Sequence, residues 1–288
     1  MQSLQTVLKE MAQSSQNTTN VLTTVNETEE YIKDGLIYCK TCDTPRMCEG
    51  LFGRMVRCIC KCQAEERDRQ EALEIQREKQ RRIEKIKRAS LLGDKYKDVS
   101  FDNTETEHNP NFKMTYQRCK KYCEVAHKVL DKGIGIYLFG NKGTGKSRLT
   151  ACMANELILN HYTVLYTNFS EISKYIRGTF NKTTETEYEF LERLTKIDFL
   201  FIDDFGTELV SKNDQDLWLQ EKVFEVVNKR YNNNKPIIFT SNYSLRELIE
   251  ERGVADKTID RINEMCEIMK LEGSSYRRNV KEQREKLF

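Results

Sequence analysis

The segment Gly140-Asn-Lys-Gly-Thr-Gly-Lys-Ser147 constrains this chain more than any other. It follows an apolar run, Ile134–Phe139, and precedes a helix-forming run from Leu149 to Leu159. A glycine-rich loop between a strand and a helix turns its backbone N–H groups inward to wrap phosphate oxygens. The start of the following helix adds partial positive charge. In this pattern Lys146 reaches the β- and γ-phosphates and Ser147 offers a hydroxyl to magnesium. The expected nucleotide-binding set is Gly140, Asn141, Lys142, Gly143, Thr144, Gly145, Lys146, Ser147 and Arg148, with ATP and magnesium as the ligands. The bland reading is a chance glycine-rich turn, and the flanking strand and helix argue against it.

The surrounding pattern supplies a fold. Short β-rich runs at Gly135–Phe139, Thr163–Asn168, Phe199–Asp203 and Pro236–Ser241 alternate with helical segments at Lys146–Asn160, Ser170–Phe180, Glu187–Lys196 and Leu217–Asn232. Strands separated by helices imply an α/β architecture, a parallel sheet flanked by helices.

Two strand ends carry candidate chemistry. Asp198-Phe-Leu-Phe-Ile-Asp203-Asp204 reads as a buried strand ending in two acids. Asp203 is expected to hold magnesium and Asp204 to polarise an attacking water. Glutamate is the commoner residue in that second place. Aspartate is shorter by a methylene, so activation would be slower or would need a shifted backbone, and Glu208 could assist. The run Ile237-Ile-Phe-Thr-Ser-Asn242 ends in three polar residues. At the carboxyl edge of a parallel sheet these face the ligand crevice, where Asn242 would orient water and sense the γ-phosphate. The competing reading is a strand ending in ordinary turn formers.

The front of the chain differs. Of ten cysteines, Cys39, Cys42, Cys48, Cys58, Cys60 and Cys62 crowd into one short segment. Clustering without a secretion signal favours metal over disulfides. No histidine lies among them, so an all-cysteine zinc knuckle or ribbon is expected, held by Cys39, Cys42, Cys60 and Cys62 with Cys48 and Cys58 as alternates. An iron–sulfur centre or buried free thiols are the competing readings. Cys119, Cys123, Cys152 and Cys266 are scattered and read as core. Ahead of this segment Met1–Lys33 is polar, with a short helix expected at Ser3–Met11. Behind it Gln63–Ser90 lacks Gly and Pro and alternates charge, as a long helix does. Its thin apolar stripe (Ala72, Ile75, Ile83, Ile86, Ala89) suits a solvated connector, or a helix that pairs with a partner. The expected boundaries are 1–62, 63–92 and 93–288.

Net charge is only +2 with 32% charged residues, so any nucleic-acid patch must be local. Met1–Thr24 lacks an apolar signal segment, and no run approaches the roughly 18 apolar residues of a membrane span. The expectation is a cytoplasmic protein with no membrane partner, acting in a bacterial cell or, if phage-encoded, in its host.

Taken in order, the motifs resemble the AAA+ ATPases, and within them the bacterial and phage helicase loaders of the DnaC and DnaI type, with the related transposition ATPase IstB. The matching residues are Gly140–Ser147, Ile202-Asp-Asp-Phe-Gly206 with Glu208, Thr240-Ser-Asn242, Asp260-Arg-Ile262 with Glu264-Met-Cys266, and Gly273-Ser-Ser-Tyr-Arg277. The resemblance implies an AAA+ P-loop NTPase over 93–288. Sixteen residues follow Glu272, which implies the short form without a C-terminal lid domain. It implies that Arg261 is an arginine finger serving a neighbouring subunit and that Arg277 senses nucleotide within its own subunit. A fixed guanidinium suits the charge that builds on a transferred phosphoryl group. The bland reading makes both surface arginines. The implied partners are the hexameric replicative helicase, gripped by the N-terminal region, single-stranded DNA, and further copies of the chain in the ATP state. For DNA, Lys174 and Arg177 are candidates, although an amphipathic helix explains their segment equally well. Two rival functions stand beside the loader: an IstB-like transposition ATPase regulator, and a zinc-containing binding protein with a degenerate ATPase.

Overall fold

The computed structural model describes residues 25–50, 53, 55–106, 109–168, 170–172, 187–207, 214–273 and 275. The expected Ser3–Met11 helix, Lys174, Arg177, Glu208 and Arg277 lie outside them. The chain divides into two compact units, 1–79 and 80–288.

The first unit is built from two antiparallel hairpins. Strands β1 (Glu30–Lys33) and β2 (Leu36–Cys39) pair across the turn Asp34-Gly35. Both turn residues have positive φ, 50° and 76°, the conformation that Asp-Gly favours in a tight hairpin. Strands β3 (Met47–Glu49) and β4 (Met55–Arg57) form the second pair. Helix α1 follows as Lys61–Ala89. It buries none of its residues. Ile83 and Ile86, in the second unit, pack against its core; Ile75, in the first, is exposed.

The second unit carries α2 (Pro110–Glu124), α3 (Ala126–Asp131), β5 (Gly135–Phe139), α4 (Lys146–Leu159), β6 (Val164–Asn168), α5 (Glu187–Lys196), β7 (Phe199–Phe205), α6 (Asp214–Asn232), β8 (Ile237–Ser241), α7 (Leu245–Glu250), α8 (Asp256–Met265) and β9 (Cys266–Lys270). The strands form one sheet in the order β6-β7-β8-β5-β9, with every pairing parallel. Alternate side chains serve opposite faces, as the two-residue period requires. Ile136, Leu138, Phe199, Phe201 and Ile238 join one core with α2, α3 and α4. Tyr137, Leu200, Ile202, Ile237 and Phe239 join the other with α5, α6 and α8. Helices therefore cover both faces of the sheet, and β5 to β8 are largely buried. No helix among the described residues is long and apolar enough to cross a membrane.

Within the sheet, two strands depart from the sequence expectation. Strand β7 runs past Asp203 to Phe205, through a register shift between Ile202 and Phe205. Strand β9 adds a fifth strand at the edge beside β5, where the sequence suggested none. Its only buried residues are Cys266 and Met269, too few to give an apolar run.

Arg230 holds one end of the sheet. It is fully buried, yet no carboxylate pairs with it among the described residues. Its guanidinium donates to the carbonyls of Leu194 at 2.8 Å, Ile197 at 3.0 Å, Asp198 at 2.9 Å and Pro236 at 2.8 Å. One side chain thus satisfies the exposed carbonyl end of α5 and the entries to β7 and β8. Burial pushes its pKa down to about 9. Arg230→Lys keeps the charge but loses the planar fork. It is expected to lower stability by about 3 kcal/mol, read from the urea unfolding midpoint.

Candidate nucleotide site and cysteine centre

Because the strands are parallel, β5, β7 and β8 release their chains at the same edge of the sheet, and three motif segments meet there. A cavity of about 610 Å³ opens at this edge. Lys142 to Arg148, Asp203, Asp204, Thr240 and Asn242 form one wall; Lys95, Tyr96, Val99, Asn103, Thr104, Glu105 and Phe112 form the other.

Gly140, Gly143 and Gly145 all have positive φ, at 144°, 85° and 100°. A Cβ at Gly143 would also run into the Ser275 hydroxyl. Lys146 begins α4 and is buried. Its Nζ donates to the carbonyls of Gly140 and Asn141, both at 2.8 Å, and to Asn242 Oδ1 at 3.1 Å. Ser147 Oγ donates to Asp203 Oδ1 at 2.9 Å. Thr240 donates its hydroxyl to the same Asp203 oxygen and accepts from the Asp204 N–H at 2.9 Å. Arg148 faces the opposite wall, donating to Thr104 Oγ1 at 3.2 Å and the Asn103 carbonyl at 2.8 Å.

Asp204 sits in the irregular stretch of β7 with φ +55°. This is an uncommon conformation for a residue with a Cβ, and bulges of this kind re-aim side chains near sites. Its Oδ1 accepts from Asn242 Nδ2 at 2.6 Å and Thr207 Oγ1 at 2.8 Å. Oδ2 has no hydrogen bond within the described residues. The two acids therefore differ: Asp203 is held by hydroxyls from the loop helix and β8, whereas Asp204 is exposed and bonded to the amide that also meets Lys146.

Arg261 does not line this cavity. It lies on α8, half-exposed, with its guanidinium 4.4 Å from the Tyr231 ring centroid and 3.7 Å from Glu264. The Tyr231 hydroxyl in turn donates to Glu264 at 2.6 Å. Sequence reasoning gave Thr240 no role of its own, although its place in the polar end of β8 was a usable signal. The far wall, with Tyr96, Val99 and Phe112, carries no motif and was not legible.

The four cysteines Cys39, Cys42, Cys60 and Cys62 form a second site. Their sulfurs all lie within 4.8 Å of one another, with Cys39 Sγ to Cys62 Sγ at 3.6 Å and Cys60 Sγ to Cys62 Sγ at 3.3 Å. A tetrahedral four-thiolate site with metal–sulfur bonds near 2.3 Å places sulfurs about 3.8 Å apart, so the cluster has the size to hold such an ion. Cys39 ends β2 and Cys42 lies in the turn after it, whereas Cys60 immediately precedes α1 and Cys62 lies in its first turn. Cys48 and Cys58 lie outside the four. The group carries its own electrostatics. The Thr44 hydroxyl helps bring Cys42 down to about 6. The Cys62 thiol is pushed up to about 12 by its contacts with Cys60, Cys42 and Cys39. Sulfurs this close cannot all ionise unless a cation joins them. Behind them Arg46 reaches Cys60 Sγ at 3.7 Å and the buried Glu30 at 2.6 Å. That hydrogen bond holds the Glu30 carboxyl below its ordinary range.

The five-stranded parallel sheet and the glycine-rich loop before α4 define the class of fold: a P-loop α/β protein. A family model described as IstB-like ATP binding protein matches residues 69–284, and the chain belongs to that family. It is 29% identical to the phage-like element PBSX protein XkdC of Bacillus subtilis (strain 168) over 232 residues, 79% of each chain. It is 28% identical to the replicative helicase loader DnaC of Buchnera aphidicola subsp. Acyrthosiphon pisum over 215 residues, 72% of this chain and 80% of that one. A crystal structure of DnaI shares the fold with a TM-score of 0.51 at 21% identity, covering 64% of this chain and 94% of that one.

Thr240→Val deletes the hydroxyl between Asp203 and the Asp204 N–H at nearly constant volume. Leaving these groups unpaired is expected to cost about 1–2 kcal/mol, measured by chemical denaturation without nucleotide.

Proposed function

We propose that this protein is an ATP-hydrolysing loader of a replicative DNA helicase. The observation that carries the enzymatic half is the convergence of Lys146, Ser147, Asp203, Asp204 and Asn242 on one cavity through direct hydrogen bonds. The loop N–H groups and Lys146 bind the phosphates, Lys146 exchanging its carbonyl partners for phosphate oxygens. Ser147 and Asp203 hold magnesium, which neutralises charge on the phosphates. Asp204 accepts the proton of the attacking water at Oδ2, while Asn242 fixes the carboxylate through Oδ1 and orients the water. The left-handed backbone at Asp204 compensates for its short side chain.

Arg261 acts on a neighbour. Its distance from its own cavity and its stacked, half-exposed placement suit a cation presented across a subunit contact. Tyr231 and Glu264 keep it extended and ready. Arg277 contributes within its own subunit. The active ATPase is then an oligomer assembled by ATP. Hydrolysis would release it from single-stranded DNA, with Lys174 and Arg177 as contacts. Similarity to DnaC supports the helicase as partner. The N-terminal region grips that helicase, with zinc on Cys39, Cys42, Cys60 and Cys62 providing folding energy that so small a unit lacks.

The family description keeps one alternative in view, a transposition ATPase regulator. Size-exclusion chromatography with the candidate host helicase separates the two. A loader co-elutes with the helicase in an ATP- and DNA-dependent manner; a transposition regulator elutes apart from it and co-purifies with a transposase.

Lys146→Ala is expected to lower hydrolysis by roughly 100-fold or more, and Arg261→Ala likewise in the assembled state. Mixing the two inactive variants should restore activity, because intact loops then face intact arginines. A mixture as inactive as its parts would rule out a shared site. For the cysteine centre, metal analysis by plasma emission should find one zinc per chain in the wild type and in Cys48→Ser. Cys60→Ser should lose it and, with it, the circular dichroism of the first unit.

A further inference from the structure

Arg252 belongs to none of the motifs and does not line the cavity. It lies in the short connection between α7 and α8, partly buried. Its Nε donates to the Gly206 carbonyl at 2.8 Å, and a terminal nitrogen donates to the Thr207 carbonyl. Its guanidinium also lies 5.0 Å from the centroid of the Tyr243 ring, within reach of a cation–π contact.

These three contacts fall on two separate strand exits. Gly206 and Thr207 follow Asp204 at the end of β7. Tyr243 follows Asn242 at the end of β8. One guanidinium therefore bridges the two segments whose side chains meet in the Asn242–Asp204 hydrogen bond. The exits are also joined by Thr240, which bonds Asp203 and the Asp204 N–H, and by the Ser241 hydroxyl donating to the Phe205 carbonyl at 2.7 Å; β8 is tied to β5 where the Tyr137 hydroxyl donates to the Tyr243 carbonyl at 2.8 Å. Beyond Phe205 the chain turns at Gly206 with φ +90°, where a Cβ would strike Leu248 of α7. Thr207 reaches back to Asp204 from that turn. The geometry of the Asp204 carboxylate thus depends on the turn, and the turn depends on Arg252.

We propose that Arg252 is a positioning residue for ATP hydrolysis: it clamps the β7 and β8 exits so that Asp204 and Asn242 hold one arrangement around the water. The role rests on the hydrolytic reading of this site. The Asp204 carboxylate is held by Asn242 from one exit and Thr207 from the other, so a relative shift of the exits moves it, and small displacements of a catalytic group cost rate steeply. Arg252 does not touch the nucleotide, so its loss acts on turnover and leaves binding intact.

The test uses the full chain with Arg252→Ala, Arg252→Lys and Arg252→Gln, the last two covering the case in which the alanine variant does not fold. Hydrolysis at saturating ATP and magnesium is compared with the affinity for a fluorescent ATP analogue and with the melting temperature. The expected result is a fall in kcat of at least tenfold for Ala and Gln. Affinity should stay within about twofold, melting within a few degrees, and Lys should recover part of the rate. Hydrogen exchange should rise at 203–207 and 240–244 and stay unchanged in the phosphate loop. An unchanged kcat in a folded variant, or a loss tracking affinity or melting, overturns the positioning role. Absence of hydrolysis in the wild type, with Lys146→Ala as the floor, instead overturns the enzymatic reading and this role with it.

Discussion

The Asp203 carboxylate is where the second unit comes together. One of its oxygens accepts from Ser147 on the helix after β5 and from Thr240 on β8, while its backbone belongs to β7. Three strand ends that are remote in sequence are thereby joined through a single oxygen atom. The arrangement needs a parallel sheet, because only then do β5, β7 and β8 finish at one edge. It also needs the order β7-β8-β5, which sets β8 between the acid and the loop. Polarity and topology are thus one problem: the carboxylate is held by hydroxyls that only this strand order brings to it.

The first unit solves stability differently. Its buried apolar side chains among the described residues amount to Ile37, Cys39, Met47 and Cys60, far short of a self-sufficient core. Two of these are themselves in the sulfur cluster. What remains is polar and specific: Arg46 joins Cys60 to Glu30, and Glu30 also receives Arg57 at 3.0 Å. A unit built this way gains definition from directed bonds, where the second unit gains it from packed area.

Strands β5 to β8 were legible because buried parallel strands are short apolar runs bounded by turn residues. The loop was legible because its chemistry depends on residue type at fixed spacing. Strand β9 was not, since an edge strand with three exposed residues has no such run. The hairpins of the first unit escaped for a related reason: their few residues serve the cysteines and leave little alternation. Arg230 and Arg252 read as ordinary charges in the sequence. Their partners are backbone carbonyls, which leave no mark on residue type, and those partners come together only after the fold forms. The bulge at Asp204 was foreseeable only as a need, from the short acid, and its form required the backbone.

Helix α8 passes into β9 with no intervening residue, Met265 ending one and Cys266 starting the other. Just past β9, the Leu271 N–H donates to the Phe139 carbonyl at 2.7 Å, beside the start of the phosphate loop, and Ser275 packs on Gly143. The linkage has no slack. A tilt of the helix that carries Arg261 must drag the edge strand, and the strand's far end rests on the loop. A change in the tilt of α8 is therefore geared to the glycine loop through the edge strand rather than absorbed by a flexible link.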